Sequence, residues 1–321
     1  MERTLLSREF RLFSARLGRD PLQVQGAGGN ISIKAGNVMW IKASGTELAD
    51  AATSDIFAAV DLDAAKAEAF GSGDGSCKSA LIDKSGKLRP SIETTFHAAL
   101  DWNVVAHTHS VAALTHAIAP EGRRVLLDKL ADLKPALVPY AKPGRPLTRA
   151  ILARATPDTR IYVLENHGLI VTGPNVEKAS CLLQEVETRL SMPARKIAER
   201  KIDIPPPVGF EWHASSWLAQ APHIAKLVAG HSYYPDHVVF LGSGLNANGS
   251  DVDRPVRFFL QKGIALSLDA TKSQRAMLNC LSDVMSRLPC DWQPEPIGDR
   301  AENELLDWDA EKYRQALAMS K

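Results

Sequence analysis

Two histidines separated by one residue, His107 and His109, end an apolar run that begins at Val104. Alternate residues of a β-strand face the same side, so both imidazoles are predicted to point the same way. A third histidine, His167, follows a second apolar run and precedes Gly168. Three imidazoles from two strands suit a catalytic zinc site with an open coordination position. The alternative is that they are ordinary core histidines, and we favour the metal site.

A carboxylate that can act beside such a site is Glu93, just upstream of the first histidine strand. Its segment opens with Pro90, which is typical of the first turn of a helix, and a carboxylate there favours the positive end of the helix. A carboxylate next to a divalent ion but not bound to it is placed for proton transfer. The residues alone leave open whether Glu93 does this or only caps the helix.

Two turns rich in small residues, at 26–30 and 44–46, offer backbone N–H groups and short side chains. Loops of this kind can cradle a phosphate. Neither has the spacing of a Walker loop, so plain turns are the alternative at this stage.

The periodicity of apolar residues predicts the elements that position these groups. It predicts an amphipathic N-terminal helix, strands over 31–34, 38–42, 104–109, 161–165 and 169–172, and helices over 90–100, 111–118 and 175–200. Residues 64–86, rich in Ala, Gly and Ser, are predicted to be a loop. Mixed strands and helices without a regular βαβ repeat indicate α/β or α+β layering rather than a barrel.

The bulk composition excludes several classes of protein. The chain has 321 residues, of which 45% are hydrophobic, and its 38 Lys and Arg balance 37 Asp and Glu. A formal net charge of +1 gives no reason to expect nucleic acid or a membrane as a partner. Four cysteines without CxxC spacing are predicted to be free thiols. Without a signal-like segment or an apolar run of ~20 residues, a soluble cytoplasmic protein is expected.

The triple proline at 205–207 predicts a linker between a domain over 1–204 and a C-terminal α/β extension over 205–321. Within the extension, residues 236–243 resemble the strand at 103–110, and 257–288 resemble the hairpin and helix at 160–190. We therefore expect a degenerate copy of the strand-hairpin-helix unit that has lost its histidines. Chance likeness between two apolar hairpins is the alternative.

Several motifs occur in an order that resembles the class II aldolase/adducin family across residues 8–200. They are Gly29-Asn30-Ile31-Ser32, Lys42-Ala43-Ser44-Gly45, Pro90-Ser91-Ile92-Glu93 with His97, His107-Thr108-His109 and Glu165-Asn166-His167-Gly168. The sequences of these motifs are similar to those of fuculose-phosphate aldolase and of the aldolase part of rhamnulose-phosphate aldolase/dehydrogenases. No GxGxxG motif follows, so only the aldolase part is expected.

The resemblance implies a three-layer αβα sandwich with a central, mainly antiparallel sheet, assembled as a homo-oligomer, usually a tetramer. It implies that His107, His109 and His167 hold Zn²⁺ or a similar ion (Mn²⁺, Co²⁺ or Ni²⁺), with Glu93 as acid/base. The positions implied to bind the substrate, a sugar or sugar phosphate, are Gly29, Asn30, Ser44, Gly45 and Ser91. Ile92 replaces a serine that those aldolases often carry, which removes a hydroxyl from the expected phosphate pocket.

The implied activity is that of a lyase: a metal-dependent aldolase acting on a hydroxyketone or sugar phosphate through an enediolate. Epimerisation, dehydration or decarboxylation through the same chemistry, or a non-catalytic adducin-like role, are the alternatives. In this family a neighbouring subunit's C-terminal region adds to the site. The candidates for such residues here are Tyr233, Tyr234, Asp236 and His237, with purely structural roles as the alternative.

Overall fold

A computed structural model of the protein describes residues 5–197, 200–245 and 254–319. In these ranges an α/β fold surrounds a seven-stranded sheet. Its strands are β1 (Asn30–Ala35), β2 (Val38–Lys42), β3 (Phe57–Asp61), β4 (Val104–Thr108), β5 (Ala136–Val138), β6 (Ile161–Leu164) and β7 (Gly168–Gly173). Their order is β3-β2-β1-β4-β7-β6-β5, and only β5 and β6 pair in parallel. The predicted mainly antiparallel sheet is therefore confirmed.

Helices cover both faces of this sheet. They are α1 (Arg8–Arg19), α2 (Leu62–Ala69), α3 (Thr94–Ala99), α4 (Val111–Ala117), α5 (Pro120–Lys129), α6 (Arg145–Leu152) and α7 (Val176–Leu190). Alternation along β4 sends Val104 and Ala106 into the core formed with α1 and α7, and Val105 into the core formed with α3 and α6. Since both faces are buried, the three-layer αβα arrangement is confirmed.

The C-terminal region forms a second, smaller sheet with its own helices. The elements are β8 (Phe210–Trp212), α8 (Trp217–Gln220), α9 (Pro222–Val228), α10 (Pro235–Leu241), β9 (Val256–Phe259), β10 (Gly263–Ser267), α11 (Lys272–Arg287), α12 (Asp299–Leu306) and α13 (Asp309–Met319). The sheet has the antiparallel order β8-β10-β9. Its core includes Val111, Leu114 and Ile118, so the extension packs on α4, directly after the histidine strand. The division at residue 204 stays a prediction.

The strand predicted over 236–243 is wrong, because this segment forms the helix α10. All seven residues of α10 are buried. Its apolar residues, Val238–Leu241, are consecutive, and a short apolar run has no period that separates a buried strand from a buried helix. Two signals favour the helix over the strand. Pro235 occupies the first helical position, and Gly242, with a φ of 87°, follows the last. The hairpin and helix over 257–288 exist as β9, β10 and α11, but the degenerate-copy interpretation is wrong because the copy lacks its first strand.

Three predicted limits also need correction. The long helix ends at Leu190 rather than at 200, because Pro193 disfavours helical backbone just before it; residues 198 and 199 lie outside the described ranges. The supposed loop over 64–86 begins with α2, whose N-terminus is capped by the Asp61 carboxylate. The helix predicted over 90–100 is shorter, since α3 begins after Glu93.

Two further predictions from composition concern the cysteines and membrane-spanning segments. All four cysteines are free thiols, as predicted; Cys77 and Cys280 are buried, whereas Cys181 and Cys290 are exposed. None of the helices in the described part of the chain combines the length and the apolar composition that a membrane span requires.

The short helix α3 is supported at its C-terminal end by Lys34 of β1. The buried Lys34 ammonium donates hydrogen bonds to the carbonyl oxygens of His97 and Leu100. A cation there also interacts favourably with the helix dipole. Burial, reinforced by the charge of Lys66, lowers the pKa of Lys34 from its usual 10.5 to about 7.

The variant Lys34→Met is expected to flatten the pH dependence of the free energy of unfolding above neutrality. Between about pH 7 and 10.5 the unfolded chain keeps the Lys34 proton while the folded protein releases it, so stability rises with pH in this window. The rise is a few kcal/mol at most, because each unit of pKa shift is worth about 1.4 kcal/mol. Urea unfolding at pH 7, 8 and 9 measures it, with the exposed Lys226→Met as control. A difference between wild type and Lys34→Met that does not change with pH would contradict this account.

Candidate metal centre

The pairing of β4 with β7 brings the three predicted histidines to one place. His107 lies opposite Ile170 in this antiparallel pair, and His109 follows the last residue of β4. His167 stands in the turn just before β7, where Asn166 adopts a φ of 53°. Gly168 allows the close approach, since a Cβ there would lie 2.4 Å from the Thr108 carbonyl oxygen. A tight turn therefore delivers the third imidazole to the end of β4.

The three imidazoles form a compact, buried group. Ring centroids of His107 and His109, and of His107 and His167, are 5.0 Å apart; those of His109 and His167 are 5.5 Å apart. One ring nitrogen from each histidine lies within 4.8 Å of the other two. The group is therefore compact enough to hold one metal ion.

The hydrogen bonding of these rings fits a metal ion. Nδ1 of His107 lies 3.1 Å from the Leu169 carbonyl oxygen, and Nδ1 of His109 lies 3.2 Å from an Asp236 carboxylate oxygen. Among the described residues, buried Nε2 of His107 and Nδ1 of His167 have no hydrogen-bond partner. A buried polar atom without a partner is costly unless a ligand meets it. The donor set therefore fits a divalent cation that accepts imidazole nitrogen.

Two of the three imidazoles, those of His107 and His167, are held in the neutral form that binds metals. Burial lowers the pKa of His107 to about 4 and that of His167 to about 3, although the Glu93 carboxylate opposes both shifts. A neutral ring presents a lone pair at neutral pH, so an ion does not have to displace a proton from either ring.

Glu93 faces the imidazoles rather than the helix that follows it. It occupies the position before α3 but makes no side-chain capping hydrogen bond. One carboxylate oxygen lies 3.5 Å from Nε2 of His107, and the other lies 3.4 Å from Nε2 of His167. Burial disfavours its ionisation, but the two neighbouring imidazoles and the Asn30 amide outweigh burial and lower the pKa of Glu93. The geometry thus does not support the capping alternative.

A chain of hydrogen bonds anchors the Glu93 carboxylate. The Asn30 amide nitrogen donates to it over 2.7 Å and to the Ser91 hydroxyl over 3.2 Å. The Asn30 amide oxygen contacts Nε2 of His97, whose Nδ1 lies 2.8 Å from the Ser32 hydroxyl. The roles of His97 and Ser32 were missed by sequence reasoning. A usable signal exists, because Asn30 and Ser32 are alternate polar residues on one face of β1.

The residues predicted to bind phosphate line the same cavity as the imidazoles. Gly29, Asn30, Ser44, Gly45 and Ser91 all contribute to it, together with Glu93, His109 and His167. The cavity measures about 390 Å³. The structure therefore brings the predicted set together, although Asn30 and Ser91 are already hydrogen-bonded to each other and to Glu93.

The C-terminal region of the same chain closes one side of this cavity. Asp236, whose carboxylate contacts His109, is bound by the Arg314 guanidinium over 3.1 Å, and Arg314 also contacts Glu311 over 2.8 Å. Burial opposes ionisation of Asp236, but Arg314 and His109 hold its pKa well below the ordinary value. Burial raises the pKa of Glu311 to about 7. The contribution of Glu311 and Arg314 to the cavity was not predicted, because no local pattern in α13 indicates a contact with residues some two hundred positions earlier in the chain.

The other three C-terminal candidates lie outside the described lining of the cavity. The Tyr233 hydroxyl donates to the Leu227 carbonyl oxygen over 2.7 Å. Tyr234 and His237 are buried, with ring centroids 5.5 Å apart. Their positions agree with the structural alternative, and Asp236 alone of the four reaches the imidazoles.

The fold and the site together define a class of protein. Its members are layered α/β proteins with a buried group of three imidazoles and an adjacent carboxylate. Residues 14–193 match the sequence model of the Class II Aldolase and Adducin N-terminal domain. The chain belongs to this class II aldolase/adducin family, and the match confirms the resemblance seen in the motifs.

Individual relatives agree with this assignment. The chain is 30% identical over 194 residues to "Uncharacterized oxidoreductase YuxG" of Bacillus subtilis (strain 168), a match covering 53% of this chain and 27% of that protein. It is 31% identical over 123 residues to L-fuculose phosphate aldolase of Haemophilus influenzae, covering 34% of this chain and 56% of that protein. The chain thus spans less than two thirds of either relative.

A solved structure shares the fold. The N-terminal class II aldolase domain of a conserved protein from Thermoplasma acidophilum superposes with a TM-score of 0.51 at 26% sequence identity. The superposition covers 57% of this chain and 90% of that one. The similarity therefore concerns the αβα domain rather than the whole chain.

Proposed function

We propose that the protein is a metal-dependent lyase that cleaves or forms a carbon–carbon bond of a hydroxyketone or sugar phosphate. The observation that carries this proposal is the Glu93 carboxylate, which lines the cavity and is held 3.4 to 3.5 Å from two of the three clustered imidazoles. The relative from Haemophilus influenzae, named L-fuculose phosphate aldolase, supports the same reaction class.

The metal proposed for the site is Zn²⁺, held by His107, His109 and His167. Three imidazole ligands with an open position suit zinc, and Mn²⁺, Co²⁺ or Ni²⁺ accept the same ligands. A divalent ion there would supply Lewis-acid polarisation of the substrate's carbonyl group. The protein supplies the pre-arranged ring orientations through the Leu169 carbonyl and the Asp236 carboxylate.

Glu93 is proposed to move the proton. When the C3–C4 bond of a 2-keto-3-hydroxy substrate breaks, its electron pair stays on C3 of the ketone fragment as an enediolate, and the C4 hydroxyl loses its proton to solvent as C4 becomes an aldehyde. Glu93 in its acid form protonates C3. In the synthetic direction the Glu93 carboxylate removes the same proton. Asn30 holds the carboxylate in place, so little reorientation is needed for the transfer.

A retro-aldol screen tests the proposed reaction. Candidate ketose and ketose-phosphate substrates are incubated with the protein, with and without EDTA, and the release of dihydroxyacetone phosphate, dihydroxyacetone or pyruvate is measured. Release that EDTA abolishes and Zn²⁺ restores is expected. Conversion without cleavage would instead identify an epimerase, dehydratase or decarboxylase. A metal-free protein without any conversion would identify a non-catalytic binding domain.

The cellular setting is proposed from the same considerations. We propose a cytoplasmic enzyme that works on a small-molecule substrate, without nucleic acid or membrane as a partner. A homo-oligomer, with a tetramer favoured, follows from the family resemblance, and light scattering on the purified protein measures its mass.

The variant Asp236→Asn is expected to weaken metal binding about 10- to 100-fold, because carboxylates behind metal-binding histidines typically contribute that much. The amide loses the charge that faces His109 and Arg314. Competition with a chromophoric chelator measures the Kd of Zn²⁺ for both proteins. Asp283→Asn, which removes an i,i+4 partner of Arg287 outside the site, is the matched control. Equal affinity in wild type and Asp236→Asn would refute a positioning role.

A further inference from the structure

A second, wider cleft adjoins the cavity at the imidazoles and has a basic lining. The cleft measures about 1490 Å³, and both spaces are lined by Ser44, Ile92 and Pro143. Its cationic side chains are Lys78, Arg89, Lys142, Arg145 and Arg149. Two carboxylates, Asp74 and Asp309, also line it. Positive groups therefore outnumber negative ones on this concave surface.

The positive charges of this basic cleft are not neutralised by ion pairs. Within the described ranges, none of its five cations has a carboxylate oxygen within 4.0 Å, whereas Arg314 and Arg189 each contact two acidic residues. The Arg89 guanidinium instead lies 4.1 Å from the centre of the Tyr313 ring, and the Lys142 ammonium lies 4.7 Å from that of Trp308. Such contacts position the cations and leave their charge available. A concave surface of this kind concentrates anions.

The cations in the lining of the inner cavity are engaged by protein groups: Lys42 donates to the carbonyl oxygens of Ala27 and Ala43, and Arg314 contacts carboxylates. The lining also includes the carboxyl groups of Glu93, Asp236 and Glu311. Arg314, the guanidinium in that lining, is already paired with two of them. A phosphate there would lie close to these carboxyl groups, whereas in the basic cleft it would meet unpaired cations.

The predicted phosphate loop is also occupied by protein contacts. The side-chain amide of Asn30 contacts Ser91 and Glu93 through its nitrogen and His97 through its oxygen. Leu317 of α13 covers Gly45, since a Cβ added to that glycine would lie 2.2 Å from a Leu317 methyl carbon. Three of the five positions that the family resemblance implies for phosphate, Asn30, Gly45 and Ser91, are therefore committed or covered, while the basic cleft beside them is open.

We propose that the basic cleft binds a distal phosphate monoester of the substrate, whose hydroxyketone end enters the inner cavity. The identity of the reacting end rests on the proposed lyase function, whereas the anion site rests on the cleft itself. A dianion matches several unpaired cations better than a monoanion does. The phosphate is thereby assigned to the side of the site lined by α6 and α13.

Isothermal titration calorimetry with inorganic phosphate tests the site without any need for turnover. The protein carrying its metal is compared with Lys78→Gln/Arg149→Gln, which removes two exposed cations of the cleft. Arg8→Gln/Lys226→Gln removes the same charge from exposed positions elsewhere. At constant low ionic strength the cleft variant is expected to bind about tenfold more weakly than wild type, and the control to bind equally well.

Three outcomes overturn this proposal. They are the absence of phosphate binding by wild type, equal weakening in the cleft variant and the control, and loss of binding in Ser44→Ala but not in the cleft variant. Succinate, a dicarboxylate, provides a further comparison: tighter binding of succinate than of phosphate would overturn the choice of phosphate. If the retro-aldol screen fails while phosphate binding follows the expected pattern, the lyase proposal fails and the anion site stands.

Discussion

Replacing Glu93 by glutamine is expected to leave the metal content unchanged and to reduce turnover by about 10²- to 10⁴-fold, the usual contribution of a general acid or base. Glutamine has nearly the same shape and can still accept a hydrogen bond from Asn30, but it cannot exchange a proton at neutral pH. The three imidazoles that would hold the metal are left in place. Metal content by mass spectrometry and kcat on the substrate found in the screen are the two measurements.

Glu165→Gln is the matched control for this substitution. Glu165 lies two residues before His167, but its carboxylate contacts Arg123 over 3.4 Å rather than the imidazoles. We expect the control to retain both metal and turnover. Unchanged turnover in Glu93→Gln would remove the proton-transfer role, and loss of metal in that variant would show that the carboxylate acts as a ligand instead.

His107→Ala is expected to lose both the metal and the activity. It removes one of the three proposed ligands and also leaves a void, because the His107 ring packs edge-on against Phe96. Loss of folding could imitate loss of metal, so His107→Gln, which fills more of the space, is measured beside it. Both variants are expected to contain little metal while keeping a cooperative thermal transition.

His116→Ala serves as the control for removing a buried imidazole. His116 lies in α4, with Nδ1 2.8 Å from the Ala112 carbonyl oxygen, and its ring faces Trp292. The control is expected to lose stability but to keep its metal. Full metal content in His107→Gln would contradict the assignment of this residue as a ligand.

The histidine group was predictable because its determinants are local. Alternation along a strand places His107 and His109 on one face, and the His167-Gly168 turn sits at a strand end. The sequence also predicted that Glu93 lies near the histidines, but it did not predict the direction of the Glu93 side chain. Whether the side chain caps α3 or turns to the imidazoles depends on Asn30, which reaches Glu93 only after β1 pairs with β4.

The C-terminal half of the site was less predictable, for two physical reasons. The run from Val238 to Leu241 is apolar throughout, so it has no period that could separate strand from helix, and the helix α10 was mistaken for a strand. Arg314 and Glu311 reach the cavity through tertiary packing of α13, which no local pattern encodes. Asp236 was identified only as one of four candidates, and its contact with His109 belongs to the same chain rather than to a neighbouring subunit.

We propose that His107, His109 and His167 together hold one catalytic metal ion beside Glu93. An anomalous-diffraction map of crystals grown from Zn²⁺-loaded protein shows whether they do. We predict a single strong peak about 2.0–2.1 Å from one ring nitrogen of each of the three histidines. A peak bound elsewhere on the chain, or one that contacts fewer than three of these rings, would contradict the claim.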